Sequence, residues 1–152
     1  DEAGKLLMAL NIARAEQDLK GAVAYLKALT GGPVGTVGFC MGGALALFAA
    51  CNSNGDVGAC IDFYGGYPMV KYNWDGLTAP LLGIWAEHDG FVNPNIPAYE
   101  AALKERGKAY EFITYPGTQH AFFNDEHPEP EYNPAAAKDA WEKSLAFYRL
   151  HL

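Results

Sequence analysis

A chain of 152 residues has room for one domain, and 11 lysines and arginines against 18 aspartates and glutamates give a formal charge of −7 with histidines neutral. Half of the residues are hydrophobic, with 3 Trp, 9 Tyr and 8 Phe among them; that is enough to bury a core and excludes an intrinsically disordered chain. The acidic balance argues against nucleic acid or an anionic membrane surface as a partner. No stretch approaches the about 18 uninterrupted apolar residues of a membrane span, and the opening Asp1-Glu2-Ala3-Gly4-Lys5 lacks the basic flank and apolar run of a signal peptide. Cys40, Cys51 and Cys60 form no C-x-x-C pair, so zinc and dithiol redox chemistry are not expected, and a reducing compartment, the cytoplasm, is.

In chain order, apolar residues recur at three- and four-residue steps from Leu6 to Leu29, which predicts one amphipathic helix stopped by Thr30-Gly31-Gly32-Pro33. Val34 to Phe39 reads as a short strand, followed at once by an alanine- and leucine-rich helix from Gly42 to Ala50. Ala59 to Tyr64 and Ala79 to Ala86 are continuous apolar runs, the pattern of parallel strands covered on both faces, with a loop from Gly65 to Thr78 between them. A helix follows Pro94 and runs to Gly107, and Tyr110 to Tyr115 alternates as a strand ending at Pro116-Gly117. Asn133 is an expected N-cap and Pro134 the first residue of a closing helix that carries Trp141, Leu145 and Tyr148. Four strands alternating with helices predict an α/β fold with a mainly parallel sheet, one domain over residues 1–152.

The chemistry concentrates at Gly38-Phe39-Cys40-Met41-Gly42-Gly43. A nucleophile set between a strand and a helix must sit on a sharp turn, and glycines at 38 and 42 are expected to let the two elements approach around residue 40. The helix N-terminus behind it favours the thiolate, which is the reactive form, and the Met41 N–H is placed to be an oxyanion donor. Asp89 follows one later strand and His120 the next, so nucleophile, acid and base occur in the order used by α/β-hydrolases, at one sheet edge.

With these motifs the chain resembles the dienelactone hydrolase family of the α/β-hydrolase superfamily. The resemblance rests on Gly38 to Gly43, Asp62-Phe63-Tyr64-Gly65, Asp89-Gly90-Phe91-Val92 and the run from His120 through Asp125 to Asn133-Pro134-Ala135-Ala136-Ala137. It implies hydrolysis of esters or lactones, with Cys40 as nucleophile, His120 as base and then acid, and Asp89 holding the imidazole. It also implies a sheet shortened at its N-terminal side, since the chain begins near the helix that precedes the nucleophile strand; the family's second oxyanion donor then lies outside these residues. Only Arg14, Arg106 and Arg149 are present, and Asn124 follows His120 where an arginine would serve a carboxylated lactone.

Tyr64, Phe91, Phe122 and Phe123 are expected to line an apolar substrate pocket. Cys51 and Cys60 read as core packing, and His88 and His127 as loop residues near the site, with no spacing that supports a metal site. No glycine pattern matches a nucleotide-binding loop, so no cofactor is expected. Two rival readings use the same residues: an acyl-thioesterase or acyltransferase, and a catalytically inactive domain kept for binding or assembly. The apolar strand Val34 to Phe39 would form a sheet edge, which predicts a homodimer or pairing with a separate N-terminal fragment.

Overall fold

A computed structural model describes residues 2–152; Asp1, the first residue of the expected domain, lies outside the described residues. The described residues build four strands, β1 (Val34–Phe39), β2 (Val57–Phe63), β3 (Leu81–His88) and β4 (Tyr110–Gln119), paired in parallel in the order β1-β2-β3-β4. Five α-helices accompany them: α1 (Glu2–Met8), α2 (Ile12–Thr30), α3 (Met41–Asn52), α4 (Ile96–Glu105) and α5 (Pro134–His151). Among the described residues no helix is long and apolar enough to cross a membrane.

The continuous apolar runs are the two central strands, and alternation along each divides the core into two layers. On one face Cys60 and Leu81 pack with Leu47 and Cys51 of α3 and Leu103 of α4. On the other, Ile61, Phe63, Leu82 and Ile84 pack with Ala136 and Ala140 of α5. Small residues on α3 and α5 bring both helices close to the sheet, so α3 covers β1 and β2 while α5 covers β2 and β3. At the outer strand β1, Val37 and Phe39 remain 42% and 37% exposed.

Two expectations are corrected. The helix read from Leu6 to Leu29 is two helices, because the Asn11 side chain accepts a hydrogen bond from the Arg14 N–H at 3.0 Å and caps α2 afresh. The last strand does not end at Pro116-Gly117. Ala86 pairs with Tyr115 and His88 with Gln119, so a bulge at Pro116-Gly117, with Gly117 at φ 69°, lets β4 resume and run to Gln119. Proline is tolerated there because β4 lies at the sheet's edge. The closing helix starts as its sequence indicates, with Asn133 accepting from the Ala136 N–H at 3.0 Å.

Candidate active site

Residue 40 follows β1 directly and occupies φ 53°, ψ −125°, a conformation costing a non-glycine residue about 1–3 kcal/mol. The turn is held by the Cys40 N–H donating to the Phe63 carbonyl at 3.0 Å and by the Cys40 carbonyl accepting from Gly43 at 2.9 Å. A Cβ on Gly38 would lie 1.9 Å from the Gly42 carbonyl oxygen, so strand and helix meet only because residue 38 has no side chain. The expectation for Gly42 is corrected: its own Cβ would meet open space, and the second indispensable glycine is Gly43, where a Cβ would lie 2.2 Å from Asp62 Oδ1.

Asp89 and His120 follow β3 and β4, so the strand ends bring all three residues together. His120 Nε2 lies 3.1 Å from Cys40 Sγ, and His120 Nδ1 lies 2.5 Å from Asp89 Oδ2. The other Asp89 oxygen accepts from the Phe91 and Val92 N–H groups, both at 3.0 Å, and the residue is 2% exposed. One carboxylate thus orients the imidazole and fixes the loop beyond it.

The hydrogen bond to Cys40 and the Asp89 carboxylate push the His120 imidazole up to about 9, against a smaller opposing effect of burial. The same contact holds the Cys40 thiol below its ordinary value; burial opposes this, and the Met41 N–H assists it. Both shifts move the pair toward thiolate and imidazolium. Cys51 and Cys60 behave in the opposite way: burial is the main cause that pushes the Cys51 thiol up to about 12 and raises the Cys60 thiol as well. Both are inert core residues.

Tyr64, at φ 41°, packs tilted against the His120 ring at 5.1 Å between centroids, and Phe91 meets it edge-on at 6.3 Å. Phe123 packs on Phe39 at 5.1 Å and borders a cavity of about 360 Å³ that opens on Cys40 and is also lined by Tyr64, Asn124 and Asp125. Phe122 is fully buried and packs against Tyr64 and Tyr115 rather than facing that cavity, so it supports the wall from behind. Asn124, which stands where an arginine would serve a carboxylated lactone, lines the cavity together with Phe39 and Asp125, which the sequence shows only as members of motifs. An adjoining groove along β1 and α5 continues it past Val37 and Trp141.

His88 lies beside Glu87 at 3.5 Å and His127 pairs with Glu131 at 2.9 Å, and among the described residues no three candidate ligands gather into a metal-binding group. Asp62, on β2 behind the turn, was read from sequence only as part of a motif. Both its oxygens are buried, neither makes a hydrogen bond of ordinary geometry among the described residues, and burial pushes its carboxyl up to about 7 against the opposing pull of the Gly65 N–H.

The Aquifex pyrophilus protein usf is 32% identical over 160 residues, spanning all of this chain and 68% of its own. A carboxymethylenebutenolidase of Rhodococcus opacus is 27% identical over 126 residues, which cover 78% of this chain and 50% of that enzyme. The chain thus spans between half and about two thirds of these relatives. The crystal structure of a dienelactone hydrolase-like promiscuous phosphotriesterase from metagenomic libraries superposes with a TM-score of 0.78 over 93% of this chain and 64% of its own, at 20% identity, a likeness of fold. The profile of the dienelactone hydrolase family matches residues 2–152, and the chain belongs to that family.

Proposed function

We propose that the chain carries the acyl-transfer centre of a hydrolase for carboxylic esters or lactones, acting through Cys40, His120 and Asp89. The observation that carries this reading is the continuous line from Cys40 Sγ through the His120 ring to Asp89 Oδ2, at 3.1 and 2.5 Å. The thiolate attacks the carbonyl carbon, a C–S bond forms, and the carbonyl electron pair moves to oxygen. The Met41 N–H, which stabilises the resting thiolate, is positioned to follow that charge onto the oxyanion. Collapse breaks the C–O bond, and the departing alkoxide takes the His120 Nε2 proton, leaving an acyl-thioester and a neutral imidazole. Water then gives its proton to His120 as it attacks the thioester; the C–S bond breaks, the acid leaves, and the thiolate–imidazolium pair is restored. A lactone follows the same course with its alcohol still tethered to the acyl group.

Hydrolysis of short esters by the native protein, lost in Cys40→Ala and in His120→Ala, is the expected result; near-normal turnover by either variant would refute the assignment. The three free cysteines support a reducing, cytoplasmic setting. The open edge of β1, with Val37 and Phe39 exposed, supports pairing with a second copy or with a separate N-terminal segment. Light scattering that showed a monomer of the bare chain at all concentrations would count against that pairing.

A further inference from the structure

The cavity that opens on Cys40 pairs aromatic walls with a single charge. Phe39, Tyr64 and Phe123 supply the rings and Asp125 the carboxylate, and no lysine or arginine among the described residues borders it. The rings hold one another in place. Phe39 lies 5.1 Å from Phe123 and 6.3 Å from Tyr64 between centroids, and Phe63 backs both phenylalanines at 4.6 and 5.1 Å. Asp125 is set in a run of turns. The Asn124 N–H donates to the Ala121 carbonyl at 2.9 Å, the His127 N–H donates to the Asn124 carbonyl at 3.2 Å, and Asn124 Oδ1 accepts from the Glu126 N–H at 3.1 Å. The Asn124 oxygen is thereby committed to the backbone, while the Asp125 carboxylate has no ion pair among the described residues. Lys138 borders only the adjoining groove, where its ammonium lies 3.9 Å from Glu142.

The reacting centre adds to this charge. Whichever of Cys40 and His120 holds the proton they share, the pair is neutral overall, so Cys40, His120 and Asp89 together carry one negative charge. With Asp125 the formal charge around the cavity is −2. An ester carrying its own carboxylate would meet like charge here and no cation. A neutral ester would gain only ring contact. An ester with an ammonium head gains the attraction of both negative charges and of the aromatic faces beside them. The chain's net charge of −7 sets the same bias at longer range.

Resting on the hydrolase reading above, we propose that the cavity on Cys40 takes esters that bear a quaternary or substituted ammonium group near the reacting carbonyl, and that Asp125 is the residue that selects them.

The test compares kcat/KM within two isosteric pairs, each value divided by the ester's rate with hydroxide. Choline acetate is set against 3,3-dimethylbutyl acetate, and methyl 4-(trimethylammonio)butanoate against methyl 5,5-dimethylhexanoate. Within a pair nitrogen replaces carbon, so charge changes while size and shape do not; the two pairs place the charge on the alcohol or on the acyl arm. In the native protein the cationic member of at least one pair should be favoured about tenfold, the scale of a partly exposed charge contact joined to a ring face. Asp125→Asn should cut that preference several-fold and Asp125→Lys should abolish it. Asp125 is exposed, so both variants are expected to fold, which thermal melts check. No preference in either pair, or one that Asp125→Asn leaves unchanged, overturns the proposal. Binding is read separately by calorimetry of choline acetate with Cys40→Ala, where saturable binding that Asp125→Asn weakens is expected. If that binding appears and no ester is cleaved, the cavity assignment stands and the hydrolase reading falls. If esters are cleaved without charge preference and choline acetate does not bind, the cavity assignment falls and the hydrolase reading stands.

Discussion

A Cβ on Gly38 would sit 1.9 Å from the carbonyl oxygen of Gly42, so the last turn of strand and the first turn of helix around the nucleophile are in direct backbone contact. Any side chain at 38 must push α3 away from β1, and with it the helix N-terminus that favours the thiolate. Gly38→Ala is expected to destabilise the fold by about 3 kcal/mol or more, the upper range for overpacking against atoms that cannot yield. Gly42→Ala, whose Cβ meets open space, should change stability by less than about 1 kcal/mol. Urea denaturation of the two variants side by side checks the contrast; equal losses would show that the backbones are not in contact.

Asp89 has two duties that a single substitution separates. In Asp89→Asn the side-chain oxygen can still accept from the Phe91 and Val92 N–H groups, while the negative charge beside His120 Nδ1 is gone. Ester turnover should fall on the order of 10⁴-fold, the scale seen when a triad carboxylate becomes an amide, with melting temperature nearly unchanged. Retention of turnover within about tenfold would remove Asp89 from the catalytic line.

Asp62 predicts a pH-dependent weakness. Its carboxyl is raised from 3.8 to about 7 by burial, so the protonated form is the one the fold accommodates. The stability it contributes is fully present below 3.8, is eroded as the pH rises, and is gone above about 7; the difference amounts to on the order of 4 kcal/mol. Asp62→Asn removes the titration. The melting temperature of the variant relative to the native protein should therefore climb between pH 4 and about pH 7 and level off beyond it. A difference that stays flat with pH would mean that Asp62 is ionised without penalty.

Much of this site is legible in the sequence because it is written locally. Cys40, Asp89 and His120 each follow a strand, and parallel strands carry their C-terminal ends to one edge. Asn133-Pro134 announces a helix start by its own chemistry. What escapes is written across elements. Gly43 and Asp62 are 19 positions apart, and nothing at either shows that the carboxyl of one fills the space left by the other. Helical periodicity persists through the break at Asn11, which a single side-chain cap decides. Pro116-Gly117 has the composition of a turn, and only its place on an outer strand makes it a bulge. Phe122 and Phe123 are adjacent aromatics, yet one faces the core and the other the cavity; composition cannot choose between them.

On the proposed mechanism Cys40 rests as a thiolate held by His120. Alkylation of Cys40 by iodoacetamide as a function of pH, followed by peptide mass in the native protein and in His120→Ala, tests it most directly. The lowered thiol predicts labelling of the native protein with a midpoint below the ordinary thiol value of about 8.5. Losing the imidazolium should slow labelling near neutral pH and return the midpoint to that ordinary value or above. Superimposable pH profiles for the two proteins, or a native midpoint at or above about 8.5, would contradict the account.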